Sequence, residues 1–559
     1  MTTFGPTLNA PMNAVPFSVS AAGGVVLLLA LIGCSVAFAQ VGLRAEYVRS
    51  SQPPFLTYPE LVTLYEQETP DPALAQKLHT LLTTPFVNNE AYFRGVKPLQ
   101  PDLDNRGPSL RVVQWNIERG LELDDIKLAL TDKQGFLAKA QSEAAKNKEP
   151  PPGIDDKLSA QLDALQSADV IVLNEVDWGM KRTDYKAVVK ELADALHMNW
   201  AYGVEFVEID PKMLGLQSFA NVENDTEREE LEQIFSVDKS QYLGLHGSAI
   251  LSRYPLRDVK LIPFQYQAYD WYDGEKKYGS LEVGKRKAAK LVFGEELLRE
   301  VRRGGRTNLI ATVDIPDLPG HQVTIVAAHL ENRTTPKGRL KELNELYDMV
   351  RSVSNPVVIA GDMNTTGSDG TVLSIKSAVV KKASDPAYWA TQGVKYATGV
   401  GLLMDVASFG FKTTKFQADP TASGVPLLAA NPEQPFFTKL NKFRFDDGTR
   451  VDFRGDAALS VNNRPGTLGN SNERASKGFV TTFSLPRTFG VVGSFRLDWI
   501  FVKDFLTNDP RAADSYRFAP SFARTMNEVN DAMSPRLSDH APISVDLPIT
   551  HSALSGFNE

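Results

Sequence analysis

The chain has 559 residues, of which 42% are hydrophobic and 23% are charged, so it can bury a sizeable core and is too long for one small domain. Its formal net charge of −8 excludes a global positive field, and binding of a polyanion would need a local basic patch. The single cysteine, Cys34, excludes a disulfide within the chain and a cysteine-based zinc site.

The first 40 residues are typical of an export or anchoring segment. They carry no charged side chain, and their apolar run ends in AFA, a pattern that favours signal-peptide cleavage before Gln40. The letters LIGC also resemble a bacterial lipobox, which would place a lipid on Cys34. Residues 19–40 are instead long enough to remain as a membrane anchor. A signal peptide, a lipoprotein signal and an anchor all predict an exported domain that is periplasmic, extracellular or membrane-anchored.

Residues 41–108 are predicted to be an N-terminal linker with short helices. The stretches YPELVTLYEQE and PALAQKLHTLL have helical spacing, and Pro-rich joints lie on either side of them.

Residues 109–549 are predicted to form the main domain, because short β-rich runs begin there. The runs are LRVVQWNI, ADVIVLNEV, GSAILSRYPL, TNLIATVDI, QVTIVAAHL, NPVVIAGDMN, FRLDWIFVKD and APISVDLPI. Helical segments follow the second and the fifth run, TDYKAVVKELADALH and KGRLKELNELYDMVRSV. Strands and helices mixed in this way predict an α/β fold with sheets packed together and helices outside.

Long insertions separate these runs near residues 206–244, 268–306 and 408–492, and loops of such length are usually functional or disordered. Residues 285–306 hold eight Lys or Arg against three acids, which indicates either a basic patch or a solvated helix face. The aromatic stretch FQYQAYDWYDG at 264–274 could stack on bases, enter a membrane interface or pack onto the main domain.

Polar side chains stand at the ends of six of the runs, where a core strand should be apolar. They are Asn116, Glu175, His329, Asp362 with Asn364, Asp498, and Asp539 with His540. A buried carboxylate is unfavourable unless it is paired or binds a metal. Each residue alone has a structural explanation, as a cap, an ion pair or a satisfied core histidine. The whole set is better explained by one site.

The chemistry of the acidic members suits a metal and a histidine pair. Glu175 and Asp539 offer hard oxygen ligands for Mg²⁺ or Mn²⁺. Asp498 could accept a hydrogen bond from one nitrogen of His540, which would fix the tautomer of the ring.

The remaining members suit water activation and phosphate binding. Asp362 could orient or deprotonate an attacking water, while Asn116, Asn364 and His329 could donate hydrogen bonds to phosphate oxygens. The combination predicts a hydrolytic site for phosphate esters.

The motifs QWNIERG, LNEV, HLENR, GDMN, RLDWIF and SDH, in this order, resemble those of the endonuclease/exonuclease/phosphatase superfamily. The resemblance covers about residues 109–549 without the insertions. It implies a four-layered α/β sandwich, two packed mixed sheets flanked by helices, with the site between the sheets and Mg²⁺ as the usual cofactor.

The resemblance also implies roles for the individual residues. The metal would be bound by Asn116, Glu175 and Asp539. The catalytic residues would be His329, Asp362, Asn364, Asp498 and His540. The substrate phosphate would be bound by His329, Asn364 and Arg333. Which group acts as the general base stays open.

Two positions depart from the family pattern: Ser248 stands where Asn is common and Asn174 where Gln is common. Neither change removes a core catalytic group.

The expected function is that of an exported, Mg²⁺-dependent phosphodiesterase that hydrolyses nucleic acid. A phospholipid-directed enzyme of the sphingomyelinase or phosphoinositide type is the alternative, since a basic patch suits either a nucleic-acid backbone or a lipid headgroup. An inactive binding module would lack a core group, and Glu175, Asp362, Asp498 and His540 are all in place.

Overall fold

The computed structural model describes residues 47–103, 107–146, 154–216, 236–276, 300–318, 321–365, 433–453, 471–475, 478–484, 494–503 and 521–549, with short pieces inside 225–232. The predicted export segment with Cys34, most of the basic patch and parts of each of the three insertions lie outside these ranges. In the residues so described, no helix combines the length and the apolar character needed to cross a membrane.

The helices α1 to α11 of the described residues are Tyr58–Glu66, Pro72–Thr83, Glu90–Phe93, Leu123–Thr131, Lys133–Lys146, Ile154–Gln166, Val188–Leu196, Asp273–Lys276, Pro336–Val350, Gln434–Lys442 and Asn527–Asn530. The strands β1 to β20 are Ser50–Ser51, Phe86–Asn88, Asp102–Leu103, Gly107–Arg119, Val170–Trp178, Asn199–Glu208, Leu245–Ser252, Leu256–Pro263, Arg302–Gly304, Thr307–Asp314, Gln322–His329, Val357–Asp362, Val451–Asp452, Arg474–Ala475, Gly478–Phe479, Phe483–Ser484, Ser494–Phe495, Asp498–Lys503, Ser521–Thr525 and Ile543–Pro548.

Two mixed sheets form the framework. The larger sheet has the order β1-β2-β6-β7-β5-β4-β20-β19, with β3 beside β4 and β9 beside β6, and its β4–β5 pair is parallel. The smaller sheet has the order β13-β18-β12-β11-β10-β8, and its β11–β12 pair is parallel. The pairs β14–β15 and β16–β17 form short ribbons outside both sheets.

Three apolar clusters show how the layers stack. One cluster joins inward-facing residues of both sheets, such as Leu110 and Val358. A second packs the outer face of the larger sheet, for example Trp115, against helices such as α4 and α7. A third packs the outer face of the smaller sheet, for example Ile359, against α9 and α10. This order of helices, sheet, sheet and helices confirms the predicted four-layered α/β sandwich.

The N-terminal segment differs from the linker that its Pro-rich joints predict. Its two predicted helices are present as α1 and α2, but β1 pairs with β2 and β2 pairs with β6, so the segment extends the larger sheet. Leu61, Leu74 and Phe86 are buried in the same cluster as Trp115. Alternating apolar residues in the helices are used for packing onto the domain, and the description of this segment as a linker is therefore wrong.

The aromatic stretch at 264–274 packs onto the main domain. Phe264, Trp271 and Tyr272 are buried, and the Trp271 indole donates a hydrogen bond of 2.9 Å to Glu331. The guanidinium of Arg302 lies 4.7 Å from the centre of the Trp271 ring. Of the three alternatives for this stretch, the structure supports packing.

Candidate active site

The two-residue period of the strands decides which side chains reach the site. In β4, Leu110 and Val112 face the core between the sheets, and Gln114 and Asn116 follow on the same face. The inward face thus changes from apolar to polar toward one end of the sandwich.

The smaller sheet presents polar groups at the same end. Its strands β11 and β12 end in His329 and Asp362, and β18 begins with Asp498. The register pairs His329 with Asp362 and Asp362 with Asp498, so the three side chains lie side by side. Gly361 permits this close approach, because a Cβ there would meet the Ala328 carbonyl oxygen at 1.7 Å.

His540 and Asp498 form a buried pair, as predicted. His540 Nδ1 lies 2.8 Å from Asp498 Oδ2, and the side chains are 5% and 0% exposed. Although burial lowers the pKa of His540, the carboxylates of Asp498, Asp539 and Asp362 raise it well above its ordinary value. The surrounding carboxylates thus favour the protonated form of the ring.

Asp362 occupies the centre of the site. Its Oδ2 lies 3.9 Å from His329 Nε2 and 3.7 Å from His540 Nε2, and it accepts a hydrogen bond of 3.3 Å from Asn116. Burial, together with the charge of Asp498, raises the pKa of Asp362. A carboxylate between two imidazoles is well placed to take up a proton.

His329 has its own carboxylate partner. Its Nδ1 lies 3.3 Å from Glu205 Oε2 and 2.7 Å from the Arg306 guanidinium, which in turn binds Glu205 at 2.8 Å. All three side chains are buried. Glu205 and Arg306 thus hold the ring of His329 from its Nδ1 side, where Arg306 can only donate a hydrogen bond, whereas Asp498 accepts one from Nδ1 of His540.

An oxygen-rich face lies beside this centre and is half-exposed. Asn116 donates a hydrogen bond of 3.3 Å to Glu175, and Glu118 accepts one of 3.0 Å from the backbone N–H of Asp539. Burial, Asp539 and Glu175 together raise the pKa of Glu118 to about 7. Burial and Glu175 likewise raise the pKa of Asp539.

These oxygen donors fit a divalent cation. Raised carboxylate pKa values mean that negative charge is in excess at this face, and a cation would remove that excess. Carbonyl and carboxylate oxygens with solvent access are what Mg²⁺ and Mn²⁺ require. Asn116, Glu175 and Asp539 could therefore hold the metal, with Glu118 next to them.

A second set of metal-ligating groups lies deeper. Ligand atoms of Asp362, Asp498 and His540 fall within 4.8 Å of one another, and all three residues are buried. The ring nitrogen Nδ1 of His540 is already bonded to Asp498. The half-exposed oxygen face suits a hard cation that keeps some of its water better than this buried set does.

Three of the site residues adopt a left-handed backbone conformation. Glu118 has φ = 46°, Glu175 has φ = 52° and Asn364 has φ = 49°. Such values are unfavourable for residues with a Cβ and cluster at functional sites. At Glu175 the ladder between β5 and its neighbours also shifts register, which turns the carboxylate toward Asn116.

Two of the predicted phosphate ligands, Asn364 and Arg333, make polar contacts within the protein. Asn364 donates its side-chain N–H to the Leu330 carbonyl at 2.9 Å, and its backbone N–H to Asp362 at 2.8 Å. Arg333 pairs with Glu275 and lies 4.5 Å from the centre of the Trp271 ring. The contacts of Arg333 thus give no support to its prediction as a phosphate ligand.

Part of the longest insertion contacts the site directly. Phe483 forms a β-bridge with His540, and their ring centres are 5.0 Å apart. Thr482 accepts a hydrogen bond of 2.7 Å from the backbone of Ala541, and its hydroxyl accepts one of 3.2 Å from the backbone N–H of Asp498. This segment holds both members of the His540–Asp498 pair.

Four residues of the site were not predicted from the sequence. Glu118 and Gln114 stand in the motif QWNIERG, whereas no motif contains Glu205 or Arg306. Their signal is the same as that of the predicted residues, a polar side chain in a strand or at its end. Glu205 stands in NWAYGVEFVE, a strand that is buried throughout, and Gln114 stands in RVVQWNI.

The fold and the site together define a hydrolase of phosphate esters. The chain matches the model of the "Endonuclease/Exonuclease/phosphatase family" over residues 113–540, and it belongs to that family. No curated protein matches the chain.

Several solved structures are similar to the chain. An endonuclease/exonuclease/phosphatase from Beutenbergia cavernae DSM 12333 is 15% identical with a TM-score of 0.34, over 79% of this chain and 72% of that one. The human nocturnin catalytic domain with bound sulfate is 14% identical with a TM-score of 0.31, over 81% and 100%. The 3′-5′ exonuclease from Neisseria meningitidis is 15% identical with a TM-score of 0.30, over 78% and 99%.

Proposed function

We propose that the chain is a divalent-metal-dependent phosphodiesterase of nucleic acid that works by attack of water on phosphorus. The observation that carries this proposal is the position of Asp362, with the Nε2 atoms of His329 and His540 3.9 and 3.7 Å from its Oδ2. A carboxylate in this position can accept a proton from water while the two imidazoles bind phosphate oxygens on either side.

Asp362 and His540 have different proposed roles because their charges are opposite. The raised pKa of Asp362 makes its carboxylate the stronger base, and the cationic ring of His540 stabilises negative charge on the phosphate. As the water oxygen bonds to phosphorus, one water proton passes to Asp362 and the ester P–O bond breaks. The leaving oxygen takes a proton from solvent.

Asn116, Glu175 and Asp539 are proposed to hold Mg²⁺ or Mn²⁺. When bound, the ion polarises the phosphate and neutralises part of its charge. The chain itself supplies the oxygen ligands and keeps Glu175 ionised: burial would raise the pKa of Glu175, but Arg119 and the nearby histidines hold it below its ordinary value.

Nucleic acid is the first substrate class to test, because the matched family is described by the names endonuclease and exonuclease. The aromatic stretch at 264–274 does not decide between nucleic acid and phospholipid. Phe264, Trp271 and Tyr272 are buried, so the stretch is free neither to stack on bases nor to enter a membrane.

The proposal is tested with purified protein and bis-p-nitrophenyl phosphate. Hydrolysis should require added Mg²⁺ or Mn²⁺, stop with a chelator and fall by about 100-fold or more in Glu175→Ala and in His540→Ala. His321→Ala, an exposed histidine, serves as the control and should keep full activity. Unchanged activity in both site variants would refute the proposal.

A substrate panel then separates the substrate classes. Plasmid DNA and RNA are compared with sphingomyelin vesicles, phosphoinositides and a phosphate monoester. Preference for either nucleic acid supports the proposal, whereas preference for lipid or monoester transfers it to the alternative class.

Export remains a prediction from residues 1–40. N-terminal sequencing of the mature protein, together with incorporation of labelled lipid at Cys34, distinguishes a cleaved signal, a lipoprotein and a retained anchor.

A further inference from the structure

A buried chain of hydrogen bonds crosses beneath the site and joins its two histidine–carboxylate pairs. It begins at Asp498, where Gln114 Nε2 donates at 3.0 Å, and the same nitrogen lies 3.2 Å from Asn174 Oδ1. Asn174 Nδ2 donates to the Ser248 hydroxyl at 2.9 Å, and this hydroxyl donates to Glu205. Glu205 is the partner of His329, so the chain connects the His540 side of the site with the His329 side.

Every linking residue is fully enclosed. Gln114 and Asn174 are 0% exposed and Ser248 is 1% exposed. Asn174 also accepts the backbone N–H of Asp362 at 2.9 Å, and thereby ties the central carboxylate to the same chain. The hydrogen bonds therefore link the larger sheet, which supplies the three residues, to both ends and to the middle of the site.

The direction of each hydrogen bond is determined by its neighbours. Gln114 must point its Nε2 at two acceptors, so its Oε1 is left without a partner among the described residues. Asn174 must point its oxygen at Gln114 and at Asp362, which directs its nitrogen to Ser248. A buried acceptor without a partner is unfavourable, so stability alone does not account for this arrangement.

We propose that Gln114, Asn174 and Ser248 are positioning residues for the hydrolytic reaction. They hold Asp498, Glu205 and Asp362 in one mutual geometry, so that both imidazoles face the same phosphate. This inference rests on the proposed function, since it concerns the geometry of the same site. Partners in the shell behind catalytic groups typically change the rate because they set side-chain orientation.

Ser248 and Ser252 provide a matched pair for the test. Both lie on the inward face of β7 and both are buried, but among the described residues the hydroxyl of Ser252 is bonded to the backbone N–H of Tyr254 and not to a side chain of the site. Ser248→Ala should lower kcat about tenfold or more for bis-p-nitrophenyl phosphate, with KM and the Mg²⁺ concentration for half-activation unchanged. Ser252→Ala should keep kcat within about twofold at a similar loss of melting temperature.

A second matched pair of variants keeps the test valid if a variant of the first pair does not fold. Gln114→Met keeps the length of the side chain and removes both donations, and Gln161→Met does the same in α6 away from the site. The double variant Gln114→Met/Ser248→Ala should have a kcat only slightly below that of the less active single variant, because both substitutions break the same chain of hydrogen bonds.

The results test the positioning role and the proposed function separately. Equal kcat losses in each matched pair, or losses confined to KM, would overturn the positioning role. A wild-type protein that does not hydrolyse the diester would instead refute the proposed function.

Discussion

Asp498 contributes to the site through charge and orientation together. It is fully buried and receives hydrogen bonds from His540 and Gln114, while its backbone N–H is bound by Thr482. Burial would raise the pKa of Asp498, but His540 keeps it below its ordinary value. The carboxylate is therefore ionised in the folded protein near neutral pH.

Asp498→Asn keeps the shape of the side chain and removes its charge. We expect kcat to fall by about 100- to 10,000-fold, because the ring of His540 loses the partner that fixes its orientation and stabilises its positive charge. Asp546→Asn, at another buried carboxylate paired with Arg111 and Arg524, is the control for loss of a buried charge. Similar kcat values in the two variants would contradict the role of Asp498.

Glu118 makes the metal-free protein sensitive to pH. Its folded-state pKa of about 7 lies above the ordinary value of 4.5, so the folded state holds the proton more tightly than the unfolded state. Stability is therefore lost as pH rises from about 4.5 to 7, when the carboxylate ionises next to Asp539 and Glu175.

Glu118→Gln should remove this loss. In chelator-treated protein, urea unfolding should give equal free energies for wild type and variant at pH 5 and a variant more stable by on the order of 1–3 kcal/mol at pH 8. Added Mg²⁺ should reduce the difference at pH 8, since a bound cation compensates the charge of Glu118. A wild type that gains stability from pH 5 to 8 relative to the variant would contradict this.

At the scale of residues, the sequence identified groups whose polar side chains interrupt apolar strands. Asp362 and Asp498 are paired in the smaller sheet, and His540, just before β20 of the larger sheet, meets them across the space between the sheets. Glu205 obeys the same rule, but no motif contains it, and only the packing of the two sheets shows that it faces the site.

Among the elements, the segment 481–484 links the longest insertion to the site. The Thr482 hydroxyl accepts the backbone N–H groups of Leu497 and Asp498 at 3.1 and 3.2 Å. Thr482 is buried, so if its hydroxyl were removed, water could not take its place as the acceptor for these two N–H groups.

Thr482→Val removes the hydroxyl at nearly constant volume. We expect kcat to fall about tenfold, since β18 would shift at the residue that holds His540, and we expect a loss of about 1–3 kcal/mol in stability. Thr481→Val is the control, because the contact of Thr481 with Asn527 is made by its backbone carbonyl. A variant of Thr482 that matches this control in both measurements would exclude the segment from a role in the site.

The elements that are bounded by clear polar or turn residues were predicted from the sequence, and others were missed. All eight β-rich runs correspond to strands, since polar residues bound each apolar stretch. β6 was placed partly in an insertion, because its buried residues show neither alternation nor turn signals along Asn199–Glu208. The N-terminal helices were recognised but their packing was not, as helical spacing does not say which surface a helix covers.

For the whole molecule, residues 48–103 are part of the domain. Phe86 of β2 packs against Trp178 and Tyr202 with tilted rings at centre distances of 4.9 and 5.9 Å, and β2 covers an edge of β6. Removing this segment would expose a large apolar surface and an unpaired strand edge.

A chain that begins at residue 107 should therefore aggregate, whereas one that begins at residue 47 should be soluble and should hydrolyse bis-p-nitrophenyl phosphate. Soluble yield and sedimentation velocity measure the difference. A monomeric chain from residue 107 with the melting temperature of the longer chain would show that the segment is dispensable.

The position of β20 in the larger sheet has a consequence for the timing of synthesis. β20 lies between β4 and β19, and its Asp546 pairs with Arg111, 435 residues earlier in the chain. At about 5–20 residues per second, a ribosome needs roughly 20 to 90 seconds to make the intervening polypeptide. Throughout that interval the nascent chain lacks both His540 and the strand that pairs with β4, so the proposed site cannot be complete until synthesis is nearly finished.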